Sequence, residues 1–397
     1  MEKDRQMNIG GFDVEAGHMY FSTHDMNGIF HMDMTDGKVR YVTMSEKYKA
    51  GDMALYQNAI VDNEKVWFAP YSADHILIYD SVSAGCEYIP LPELKGHGRD
   101  SVKCYGIYDD EKWMILIPAE YPAIVRVHKE TYKTDVIQWE EKLLKTYPDF
   151  LKGEMYLAVA WDFEVVGETM YLLAGNVVMK YNMKTNALSY TRPGGGERNL
   201  CGIARFGEKF ILVDRMNGAC MLWDEAHGRI ETMSADLGYR GLKAKDDGCP
   251  LGVYQVRDGI VIIQAKADFL LHIDQSGQFR RRNLLIDKKR SDDYLFSHVR
   301  RKGNRFFFPL NRQNSILCVD TDDWSQKIVK MDLSELDLAP VREKMDTEAF
   351  ISENATCYRL SDFIQKTVEG QGREQEAGNR ELDIKGEQIF SECRRLC

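Results

Sequence analysis

The chain is 397 residues long, 44% hydrophobic and 29% charged, with a formal net charge of −10. That length exceeds the usual single core and calls for several domains or a repeat array, while the ordinary composition excludes a mainly disordered chain. The acidic balance argues against phosphate neutralisation, so no nucleic-acid partner is expected, and no apolar run approaches a membrane span.

The first six residues, Met1 to Gln6, are charged and lack an apolar core, so no signal peptide is expected. The nine cysteines are scattered, odd in number and free of any CxxC pair, which suits a reducing compartment better than a disulfide framework. A cytoplasmic location is the expectation.

From residue 9 onward one phrase recurs: two apolar residues, any residue, a third apolar one, then Asp or a polar substitute. The phrases end at Asp33, Asp80, His128, Asn182, Asp224, Asp274 and Asp320, spaced 47, 48, 54, 42, 50 and 46 residues apart. Each is preceded by an aromatic or aliphatic run: His18-Met-Tyr-Phe, Lys65-Val-Trp-Phe, Lys112-Trp-Met-Ile, Thr169-Met-Tyr-Leu, Lys209-Phe-Ile-Leu, Gly259-Ile-Val-Ile and Arg305-Phe-Phe-Phe. A further apolar run precedes that one, as in Gln57 to Asp62, and a fourth short run closes the unit. Short apolar runs bounded by turn residues are strands rather than helices. Four strands per unit of this length make the blade of a β-propeller. The expectation is therefore an all-β chain with seven four-stranded blades over residues 9–333, six or eight remaining open because residues 349–360 imitate two more strands.

The repeats resemble the seven-bladed β-propeller superfamily, and within it the streptogramin-lyase-like group. The resemblance rests on Val66-Trp67-Phe68-Ala69-Pro70 and the closing Tyr88-Ile-Pro-Leu-Pro92, and covers one blade well and the others loosely. Kelch double glycines and blade-ending tryptophan-aspartate pairs are missing. The resemblance implies an architecture and leaves activity open.

Residues 334–368 are read as an extension, either strand or a short helix over Leu360 to Val368 with Ser361 as N-cap. Residues 369–381 read as a flexible connector, and Ile389, Phe390, Cys393 and Leu396 fall at the spacing of a small amphipathic helix.

In a propeller the loops between second and third strands share one rim with the loops joining blades, and loops on a rigid scaffold carry function. Here that rim holds His24, Asp25, Lys266 and Asn311 among many polar residues. The binding candidates chosen from it are Tyr71, Asp74, His97, Arg99, Asp100, Glu120, Tyr121, Arg215, Asn217, Arg312 and Asn314. No HExxH, EF-hand, phosphate loop or nucleophile elbow occurs. The leading expectation is thus a non-catalytic module that presents one rim to a protein or carbohydrate-like partner, without cofactor. The alternative is a lyase- or hydrolase-type enzyme. The resemblance implies a His and a Glu near the channel, for which His298 and Glu120 are the candidates, with a divalent ion such as Mg or Ca on oxygen ligands. Pro309, not Glu, follows the seventh aromatic run. A basic run over 280–305 holds ten Lys/Arg against three Asp. It is read as a solvated charge run with an anion site as the alternative, Lys288 to Arg290 on one rim and Arg300 to Lys302 in a turn on the other.

Overall fold

A computed structural model describes residues 7–94, 102–148, 159–195, 198–215, 218–233, 250–286, 294–296, 298–311 and 313–344. The chain divides into two units, Met1–Asp337 and Leu338–Cys397. In the second, residues 339–344 form a helical turn. The expected segments at 349–368 and 369–397 lie outside the described residues.

The first unit is a seven-bladed β-propeller. Its blades span residues 9–43, 56–90, 104–138, 159–191, 200–232, 250–283 and 300–330, and each is a four-stranded sheet whose strands follow chain order. All neighbouring strands within a blade are antiparallel, so each blade is a simple meander. Inner strands of adjacent blades adjoin around the centre. Between blades 3 and 4 the chain also forms one short helix, Glu140–Thr146.

The recurring phrase is the third strand of every blade. All twenty-one of its apolar residues are buried, from Ile29, Phe30 and Met32 to Ile316, Leu317 and Val319. Side chains alternate between the two faces of a strand, so two adjacent apolar positions cover both faces. Such a strand must be sandwiched by neighbouring blades, and the core clusters show this. Trp67, Ile76 and Ile78 of blade 2 pack with Met114, Leu116 and Val125 of blade 3. Farther round the ring, Val261 and Leu270 of blade 6 pack with Phe306, Phe308 and Leu317 of blade 7.

The polar residue ending each phrase caps the next turn. Asp33 Oδ1 accepts the Thr35 N–H at 2.8 Å, Asp80 Oδ1 that of Ser83 at 2.8 Å, and His128 Nδ1 that of Glu130 at 3.3 Å. Asn182, Asp224, Asp274 and Asp320 accept turn N–H groups in the same way. This side-chain mimicry of a backbone turn explains why Asp and Asn dominate the position.

Every blade is built from contiguous sequence, so the ring closes without exchanging a strand between its ends. Blade 1 meets the segment after blade 7 through a parallel bridge between Lys38 and Asp332. The Val39 N–H donates to Asp332 O at 3.0 Å and the Asp332 N–H to Gly37 O at 2.8 Å. Gly37 has φ 79°, and a Cβ there would lie 2.0 Å from Lys330 O, so only glycine permits this approach. Arg300 to Lys302 form the inner strand of blade 7 rather than a turn, a correction with consequences for the channel.

Candidate functional site at the propeller rim

The inner strand of each blade leaves one edge unpaired toward the centre, and unpaired buried backbone groups are costly. Carboxylates answer this with one recurring geometry. Asp13 Oδ2 accepts the Val61 N–H at 2.8 Å, and Asp162 Oδ2 accepts the Ile203 N–H at 3.1 Å. Glu164 likewise accepts the Arg205 N–H. In each case the acceptor lies one position nearer the rim than the donor on the next inner strand, as the strand pairings show. Asp162 reaches one blade farther, to the Val253 N–H at 3.0 Å, and so links blades 4, 5 and 6.

The charges around these carboxylates differ. Asp13 is fully buried and meets Arg300 Nε at 2.8 Å and Lys302 Nζ at 2.9 Å. These two cations of the basic run are therefore committed within the ring. Burial pushes the Asp162 carboxyl well above the usual range, against the opposing N–H donors. Burial also raises Glu164 to about 7, opposed by the Arg205 N–H and by the charges of Arg301 and Arg205.

At the rim, His24 and His298 face each other across the junction of blades 1 and 7, with Nε2 atoms 3.2 Å apart. Both residues are half-buried. Burial lowers His24 against the pull of Asp25, and burial with the His24 ring pushes His298 down to about 3. To one side, Tyr294 carries Lys266 Nζ over its ring at 4.8 Å, and its carbonyl accepts from Asn311 Nδ2 at 3.1 Å. To the other, the Ala54 N–H donates to His24 O at 3.0 Å and brings Met53 to the same arc. Tyr294 is 51% exposed and Met53 54%.

Blade 2 holds a second polar cluster. His75 Nδ1 donates to Asp74 Oδ1 at 2.8 Å, and Nε2 lies 3.2 Å from the Tyr56 hydroxyl and 3.3 Å from Ser45 Oγ. The order Asp–His–Ser imitates a nucleophile triad, but Ser45 is fully buried and Tyr48 stacks on His75 at 4.9 Å. The Tyr48 hydroxyl also donates to Asp74. The cluster ties the loop between blades 1 and 2 to blade 2.

The sequence candidates have varied surroundings. Asp74 is half exposed and anchors that cluster. Tyr71 is half-buried, its ring 6.2 Å from Tyr105. Tyr121 is buried, and its hydroxyl donates to Pro92 O, so it packs rather than faces the rim. Glu120 Oε2 accepts the Val102 N–H at 3.1 Å, while His298 meets His24. Arg215 is held through its N–H to Asn199 O at 2.7 Å. Asn314 Oδ1 accepts the Met7 N–H at 2.9 Å and bridges the two ends of the ring. His97, Arg99, Asp100, Asn217 and Arg312 lie outside the described residues. Sequence reading passed over Asp13, Asp162 and Glu164. Their one signal is a carboxylate within an otherwise apolar inner strand.

No protein-family model and no curated protein matches the chain. Among solved structures, a catalytically inactive histidine-to-alanine virginiamycin B lyase from Staphylococcus aureus with quinupristin is similar, at 12% identity and TM-score 0.56 over 79% of this chain and 94% of that one. A streptogramin B lyase structure shares 14% identity at TM-score 0.54, over 78% and 92% of the two chains. The computationally designed Ika8 protein shares 10% identity at TM-score 0.50, over 83% and 86%. At these identities the likeness shows the propeller fold alone.

Proposed function

We propose that the chain is a non-catalytic binding module whose loop rim receives a protein or carbohydrate-like partner. One observation carries the reading: exposed Met53 and Tyr294 stand among half-buried polar groups along a single arc of the rim. Aromatic and Met anchors within polar surroundings are the usual make-up of binding surfaces. The channel carboxylates, by contrast, serve the ring's own backbone and cations. No described helix is long and apolar enough to cross a membrane. The five described cysteines are free thiols, which supports placing the protein in a reducing compartment.

The test compares capture of partners from the native host, and binding to a glycan array, by three chains: wild type, a Met53→Asp/Tyr294→Asp variant, and Val82→Asp. Val82 is 78% exposed in a turn on the opposite rim. Loss of the same ligand only in the double variant is expected; equal binding by all three would overturn the proposal. The lyase- or hydrolase-type reading instead needs turnover that disappears in both His298→Ala and Glu120→Ala.

A further inference from the structure

Blade 6 ends on the outer strand Phe279–Asn283, which opens the basic run of 280–305 with three consecutive arginines and no acid. No other outer strand holds more than two basic residues. The strand is last in its sheet and pairs on one side only, with Phe269–Asp274, so its other side is an edge of backbone N–H and C=O groups. Two outer strands elsewhere are met by the chain itself. The Val39 N–H of blade 1 donates to Asp332 O at 3.0 Å, and Lys142 Nζ of the short helix donates to Leu188 O of blade 4 at 2.8 Å.

The three guanidinium groups are set in place. Strand pairing puts Arg281 opposite Leu271, on the blade 5 side, and Arg280 and Arg282 opposite His272 and Leu270, on the blade 7 side. Arg281 lies over the Phe269 ring at 4.5 Å, and Arg282 over the Trp324 ring of blade 7 at 4.5 Å. A guanidinium stacked on a ring leaves its in-plane N–H donors for a planar acceptor such as a carboxylate. Arg280 meets Asp274 Oδ2 at 2.9 Å while its side chain stays 55% exposed, and Arg282 Nε is buried without a hydrogen-bond partner. Gln326 of blade 7 fixes the strand's end: its Nε2 donates to Asn283 O and its Oε1 accepts the Leu285 N–H, both at 2.7 Å.

Cations along an edge deter pairing with a second copy of the same strand. The same charges favour a strand of opposite sign, because opposite charges across a pair stabilise it. We propose that the outer edge of blade 6 receives an extended acidic peptide segment of a partner protein as a fifth strand, its backbone bonded to Phe279–Asn283 and its carboxylates to the arginines. Arginines on both faces of the strand call for consecutive acids rather than alternate ones. The surface includes neither Met53 nor Tyr294, so this reading and that of the rim fail separately.

The experiment follows fluorescence anisotropy of a labelled synthetic peptide, a run of Glu flanked by Val and Thr, on the full-length chain at about 0.15 M salt. Two further probes are the same peptide N-methylated along one backbone edge, which cannot pair as a strand, and a labelled single-stranded DNA oligonucleotide. The chains are wild type, Arg281→Glu, Arg281→Gln, Met53→Asp/Tyr294→Asp, and Lys327→Glu, which reverses one charge on the outer strand of blade 7. Thermal unfolding confirms that each variant is folded. The expected result is saturable binding of the Glu peptide that weakens about tenfold or more with Arg281→Glu, Arg281→Gln or N-methylation. The rim variant and Lys327→Glu are expected to bind as wild type does. Absence of saturable peptide binding overturns the proposal, as does an equal loss in Lys327→Glu or in the rim variant. Full binding of the N-methylated peptide, or tighter binding of the oligonucleotide through Arg281, overturns it as well.

Discussion

The ring is held at its centre by two buried aspartates that meet the same need by opposite means. Asp13, at the junction of blades 1 and 7, caps one N–H and is matched by Arg300 and Lys302. Asp162, between blades 4, 5 and 6, is surrounded by backbone, with Ile203, Val253 and Phe163 N–H groups as its donors. The first site is an ion-pair clasp where the chain's two ends must be joined. The second is a carboxyl whose burial favours the protonated form. Blades linked by continuous chain tolerate a neutral bond, whereas the junction of the two ends gains from charges on both sides.

Substitutions test that difference, beginning with the largest effect. Asp13→Ala takes the shared acceptor from Arg300, Lys302 and the Val61 N–H, with Lys302 keeping Glu15 Oε2 at 3.1 Å, and removing one partner of a buried pair costs about 3–5 kcal/mol. Chemical denaturation is expected to show a loss of that size. A loss below about 1 kcal/mol would place the clasp in the class of weak surface pairs. Asp162→Ala orphans N–H groups on two blades, for an expected loss of about 2–3 kcal/mol by the same measurement. Asp162→Asn keeps one acceptor oxygen for the Ile203 and Val253 N–H groups but turns an NH2 toward the Phe163 N–H, so a loss of about 1 kcal/mol, smaller than that of Asp162→Ala, is expected at pH 7. A loss as large as that of Asp162→Ala would show that both oxygens are needed as acceptors, as an ionised carboxylate supplies them.

Glu164 and His298 make opposite contributions to pH dependence. Glu164 is raised to about 7 in the fold from an ordinary 4.5. Its contribution is complete below about 4.5 and is lost as pH rises through 7. Glu164→Gln is therefore expected to raise stability at pH 8 by roughly 1–3 kcal/mol and leave it unchanged at pH 4, read from unfolding midpoints. His298 is lowered from 6.5 to about 3. Its contribution is complete above 6.5 and is lost as pH falls toward 3, because the unfolded chain then binds the extra proton. His298→Gln should flatten that acid limb between pH 6.5 and about 3. An unchanged acid limb would mean that the ring titrates normally in the fold.

The repeating unit and its strand order were legible because the pattern behind them is local, while the expected seven blades left six or eight open. Each phrase places apolar residues on both faces of one strand, and its final Asp or Asn caps a turn two or three residues away. Lys112 to Ile115 was readable as a strand, although the pairing begins at Trp113 opposite His128. Arg300 to Lys302 was misplaced because charged residues ordinarily mark turns, and the compensating Asp13 lies 287 residues away. Tyr121 looked like a rim residue from its place in a loop, yet its hydroxyl is spent on Pro92 O. His24 and His298 were each visible as rim or channel residues, but nothing in either neighbourhood signalled their contact.

The sequence by itself determined a repeating four-stranded unit, because strand periodicity and turn capping act over a few residues, whereas the count of seven, with six or eight open in the sequence, was decided by the structure. Only the tertiary structure decided which polar groups meet. Asp162 bonds Val253 91 residues on, and His24 meets His298 274 residues on. Closing a ring sets positions side by side according to blade geometry rather than chain distance, and that placement is where the protein's chemistry resides.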